Sequence, residues 1–104
     1  MTRETVGAVA ARVRAKNAGP FWLTIDLFCD GPDAFARLRA GLATRAVAEA
    51  FEVEEASVRR FDIAELAVIK LSLPRPVVQG STGDRDMHGA AAAALVEGIV
   101  LDGV

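Results

Sequence analysis

Residues 84–88 read Asp-Arg-Asp-Met-His, inside the stretch QGSTGDRDMHGA of residues 79–90. Two carboxylates and the chain's single imidazole, this close together, are the groups that hold a metal or move a proton. Arg85 between them can grip a substrate carboxylate through two parallel hydrogen bonds. A plainer reading competes. Gly80, Gly83 and Gly89 permit positive φ, and Ser81, Thr82 and Asp84 stabilise turns. A polar surface loop has this composition too, and residue types alone favour it. A zinc site needs several His or Cys ligands, and the chain has one of each, far apart. No metal and no cofactor is expected.

Other positions could do chemistry. Lys16 and Asn17 precede Gly19-Pro20, where a strand is expected to open, and backbone N–H groups at such a junction can gather an anion. The commoner outcome of the same residues is a helix stop followed by a strand start. The GxxxxGK[ST] pattern of a phosphate loop is missing. Arg75, between Pro74 and Pro76, sits on a stiff extended segment, which suits either carboxylate recognition or plain solvation. Cys29 lacks a neighbouring base to activate it and reads as structural. Lys70 lies in an apolar strand, as a buried amine with a shifted pKa or, more commonly, as a lysine pointing outward. The candidate binding set is Lys16, Asn17, Arg75, Asp84, Asp86 and His88, with no residue assigned a catalytic role.

These residues need elements to position them. Val6, Val9, Ala10 and Val13 are spaced for one face of a short helix, capped by Thr5 or Thr2 and ended by Asn17-Ala18-Gly19-Pro20. The rival is a strand with Val9, Ala11 and Val13 on one side. Residues 21–28, FWLTIDLF, predict a strand with Phe21, Leu23, Ile25 and Leu27 on one face and Trp22, Thr24, Asp26 and Phe28 on the other. Asp30 is placed to cap a helix with Pro32 in its first turn, carrying Phe35, Leu38 and Leu42. A second helix runs from Thr44 to Phe51 with Val47, Ala48 and Phe51 inward. After an acidic connection, strands are expected over 58–63 and 66–73, the latter stopped by prolines. Residues 75–89 form a long connection, a length often tied to function or disorder. Ala90–Ala94 favours helix, and residues 96–104 predict a last strand with a bulge at Gly98.

Helices and strands are mixed without βαβ alternation. The expected class is α+β: a ferredoxin-like sandwich with about four strands, antiparallel or mixed, and helices on one face. The 104 residues make one domain, 1–104. Apolar residues make up 52% of the chain but aromatics only 6%, so a core is expected to use most of Phe21, Trp22, Phe28, Phe35, Phe51 and Phe61. Net charge is −2 and the pI about 5.3. The basic residues are scattered, with one local cluster at Arg12, Arg14 and Lys16, so nucleic acid and membrane surfaces are not expected partners. No apolar run reaches the roughly 20 residues of a membrane span. The N-terminus lacks the pattern of a secretory signal. One cysteine makes no internal disulfide, and a cytoplasmic setting is the simplest.

Three segments together resemble a known family: AKNAGPFWLTIDLFCD (15–30), AVIKLSLPRPVVQGS (67–81) and GDRDMHGA (83–90). They look like a small-protein family of unknown function, itself similar to the C-terminal ferredoxin-like domain of AtuA-type proteins, named for acyclic terpene utilisation. The resemblance spans nearly the whole chain. It implies a small subunit or accessory domain of a larger AtuA-like catabolic enzyme, with no reaction assigned. The polar positions that match are Lys16, Asn17, Asp26, Lys70, Arg75, Gly80, Gly83, Asp84, Asp86 and Gly89, which raises the 79–90 loop from filler to candidate site. One departure stands out: Ala91, Ala92 and Ala93 occupy a stretch that is polar, Gln-Gln-His, in that family. Beside a plain structural oligomerisation module, two functions follow as expectations. One is a non-catalytic subunit that docks through the half-apolar face bearing Trp22 and Phe28. The other is a self-contained homo-oligomeric enzyme or carboxylate binder using the 79–90 loop.

Overall fold

A computed structural model describes residues 4–74 and 89–103. Its centre is the strand β2 (Trp22–Phe28), where apolar and polar residues alternate so that Leu23, Ile25 and Leu27 are fully buried. Helix α1 (Val6–Val9) and strand β1 (Arg12–Asn17) precede it. Helices α2 (Pro32–Gly41) and α3 (Thr44–Phe51) follow. Strands β3 (Arg59–Ile63) and β4 (Val68–Pro74) come next, then α4 (Gly89–Glu97). The strands form one open antiparallel sheet in the order β1-β2-β4-β3.

The fold is thus α+β with helices against a four-stranded antiparallel sheet. Its element order differs from the β-α-β-β-α-β run of a ferredoxin-like domain. Side chains of the helices, Phe35, Leu38, Val47, Phe51, Ala92 and Val96, share one core with Leu23, Ile25 and Leu27 of β2 and Ile69, Leu71 and Leu73 of β4. Among the described residues, no helix packs on the opposite face of the sheet.

Several sequence expectations need correction. The N-terminal helix is only four residues long. Thr5 does cap it, its Oγ1 accepting from the Ala8 amide at 3.3 Å, but Val13 belongs to β1. There the alternation Arg12-Val13-Arg14-Ala15-Lys16 sets a period of two, and pairing with β2 satisfies the backbone. Residues 18–21 are therefore a hairpin turn, not a helix stop. Gly19, at φ +78°, takes the left-handed conformation that this turn requires. Asp30 does not cap α2: Gly31 holds that position without a side-chain bond, while Pro32 opens the helix as expected.

The last strand expected over 96–104 is mostly absent. Val96 is fully buried on α4, and only Val100 makes a bridge, to Thr5. Ala92 and Val96 are four apart and both buried, a helical spacing that a strand reading misses. The same burial gives Ala92 a role: an alanine here fits α4 against the core. Helix α3, by contrast, spans the expected residues, with Val47, Ala48 and Phe51 inward.

The aromatic expectation fails most clearly. Only Phe35 and Phe51 are buried. Phe21 lies just before β2 and is 59% exposed, Phe61 is 55% exposed and Trp22 37%. Leucine, isoleucine and valine fill the core instead, because two-residue alternation puts Leu23, Ile25 and Leu27 inward and sends Trp22 and Phe28 outward.

Candidate functional site

The open face of the sheet gathers more chemistry than any other part of the described chain. Strand register places its residues in rows. Lys16, Thr24, Ser72 and Arg59 form one row across β1, β2, β4 and β3. Arg14, Asp26, Lys70 and Phe61 form the next, and Arg12, Phe28, Val68 and Ile63 the third. Trp22 and Pro74 pair at the end of the sheet beyond Lys16. Directly opposed side chains in such rows stand about 5 Å apart.

Charge is sorted by this arrangement. Among the described residues, five basic residues (Arg12, Arg14, Lys16, Arg59 and Lys70) stand on this face, against one acidic residue, Asp26. Lys70 reaches Asp26 at 3.4 Å, so its amine points outward rather than into the core. Arg12 lies over the Phe28 ring at 4.6 Å and Arg59 over the Trp22 ring at 5.6 Å, both cation–π contacts. Carboxylates collect elsewhere. Glu49, Glu52, Glu54 and Glu55, with Arg45, line a groove of about 630 Å³ beside α3 and the turn after it.

The candidates named from sequence divide in two. Lys16 and Asn17 are exposed at the end of β1, near the sheet end at which β4 stops. As neighbours in a strand they point to opposite faces: Lys16 joins the open face, and Asn17 pairs with the Leu23 row. Arg75, Asp84, Asp86 and His88 lie outside the described residues. Among the described residues no group of His, Cys, Asp and Glu could hold a metal ion, and no helix is long and apolar enough to cross a membrane.

Sequence reasoning misses Arg59 and Phe61 on this face. The signal is available: with Val58–Ile63 read as a strand, alternation puts Arg59, Phe61 and Ile63 on one side. It also misses Arg60, on the core face beside Leu71. Its guanidinium donates to the carbonyl of Leu42, to the carbonyl of Arg39 at 3.1 Å and to Asp62 Oδ1 at 2.9 Å. This cation fastens an edge strand to the C-terminal end of α2, where a positive charge is favoured.

Cys29, just after β2, is half-buried and packs against the core. Burial, and then the neighbouring Asp30 carboxylate, push its thiol pKa up. A raised pKa leaves less thiolate, the reactive form, at neutral pH. Alkylation by iodoacetamide at pH 8 is therefore expected to be slower in the folded chain than in urea, with the folded profile displaced to higher pH. The folded thiol holds its proton longer than the unfolded one. Its contribution to stability is complete below about pH 8.5 and is lost as pH rises through the folded value.

A search of curated proteins finds no match to this chain, and a search of solved structures finds none. A family model does match, over residues 6–98. The chain belongs to that family, described as a domain of unknown function, DUF4387.

Proposed function

We propose that this protein is a small subunit or accessory domain that docks onto a larger protein through the open face of its sheet. One observation carries the reading. A chain poor in aromatics leaves Trp22 and Phe61 exposed, and Phe28 and Ile63 half-buried, on the face against which no helix of the described residues packs. Keeping such side chains from burial forgoes roughly 1.5–3 kcal/mol each, and clustered exposed apolar groups mark interaction surfaces. The resemblance of residues 15–30, 67–81 and 83–90 points to a larger AtuA-like catabolic enzyme as the partner, with its reaction unassigned. We place this complex in the cytoplasm. From β2 onward the order strand, helices, strand, strand, helix follows a ferredoxin-like domain, with β1 taking the place of its last strand. We read the fold as that permuted form.

The test is purification of the tagged chain from its native host, beside a Trp22→Ala/Phe61→Ala variant. A stoichiometric larger protein is expected with the parent chain, its recovery falling about tenfold in the variant while the melting temperature holds. A homo-oligomer without a larger protein, or recovery unchanged by the variant, would overturn the reading.

A further inference from the structure

The docking reading leaves the chemistry of the partner open, and the charge on the same face addresses it. Resting on that reading, we infer that the face receives an acidic segment of the partner, extended along β1 with a carboxylate at every second residue.

The argument begins with spacing. Arg12, Arg14 and Lys16 alternate along β1 and project on one side of the sheet. In a strand, side chains two residues apart stand about 7 Å apart. An extended partner chain has the same repeat, so alternate carboxylates meet all three cations in register. Arg14 and Lys16 have no ion pair among the described residues. β1 is an edge strand, so a segment can approach it from the side as well as from above. Charges on an edge strand also discourage unwanted pairing. That role covers the two edge strands, β1 with its three cations and β3 with Arg59. It does not account for Lys70 on the interior strand β4, which carries basic residues across the sheet.

Other occupants fit less well. Two copies stacked through this face would bring five cations against five. Single-stranded nucleic acid binds such sheets by stacking bases on exposed rings. Here guanidinium groups of the chain itself already lie over one side of the Trp22 and Phe28 rings, which leaves Phe61, among the described residues, as the one ring of this face open to stacking. Asp26 also puts a carboxylate among the cations, paired with Lys70, where a phosphate backbone would be repelled. A protein segment can answer that carboxylate with one basic residue of its own.

The experiment uses the isotope-labelled full chain and three probes: a short peptide alternating Glu with Thr, its Lys counterpart, and a short oligothymidylate. The Glu peptide is expected to shift the amide signals of β1 and its neighbours. Its affinity should fall about tenfold from ~50 to ~500 mM salt, and about tenfold in an Arg14→Glu/Lys16→Glu variant. The Lys peptide should not bind. Three results would overturn the inference: tighter binding of oligothymidylate, self-association through the face, or Glu-peptide binding that ignores charge reversal or is absent at low salt. If partner recovery still depends on Trp22 and Phe61 while the Glu peptide fails, the docking reading stands and the acidic segment falls.

Discussion

Replacing Arg60 by alanine is expected to cost about 3 kcal/mol of stability, read as a drop of roughly 10–25 °C in the melting temperature of a domain this size. The reason is the number of groups that depend on one side chain. Arg60 serves the Leu42 and Arg39 carbonyls at the end of α2 and the Asp62 carboxylate on β3, and it also reaches Thr44 Oγ1 at 3.4 Å. Its side chain is only 16% exposed and the bonds to Leu42 and Thr44 are part-buried, so water replaces those two poorly. A hydrogen bond to a charged group contributes about 1.5–3 kcal/mol, and shared partners keep the sum below simple addition. Arg60→Lys is expected to recover less than half of the loss. A lysine ammonium keeps the charge but lacks the planar fork that spans the two carbonyls and the carboxylate. Denaturant melts of the two variants check both values. Equal stability of Arg60→Lys and the parent would show that charge alone suffices.

The second large effect separates two phenylalanines. Phe51→Ala is expected to cost about 3–5 kcal/mol, the range for a buried Phe truncation. Phe51 is 2% exposed at the end of α3, in the same core as Leu23 and Leu71. The cavity would lie between helix and sheet, where rigid strands cannot collapse into it. Phe61→Ala is expected to fall within about 0.5 kcal/mol of the parent, because that ring is mostly in water already. The pair tests the assignment of faces. A large loss at Phe61 would place that ring in the core and remove one leg of the docking surface.

Much of the frame is legible in the amino-acid sequence. Strong local patterns specify β2, α3 and β4 within about two residues, since period-two alternation and a short amphipathic run leave little choice. Short elements are harder. Val6–Val13 satisfies both a helical and a strand spacing, and the structure divides it, α1 first and β1 after. Val96 reads as strand by β-propensity, yet its partner at the helical interval is Ala92, and packing of α4 on the core settles it. Of the candidate binding residues, Lys16 and Asn17 are expected where a helix gives way to a strand. They stand instead at the end of β1, across a hairpin turn from β2.

The amino-acid sequence by itself determined the class: mixed helices and strands, an apolar core and a break in regular structure at Gly19-Pro20. These depend on local propensity and on periodicity along one segment. Only the tertiary structure decided what faces water together. Arg12, Arg14 and Lys16 look like a small local cluster in the chain, and Arg59 and Lys70 look unrelated to it. Antiparallel pairing in the order β1-β2-β4-β3 lays all five on one surface with Trp22, Phe28 and Phe61. Which strands pair, and in what register, follows from burying one apolar face against α2, α3 and α4. The composition of the opposite face is the consequence of that burial, so no single stretch of sequence could display it.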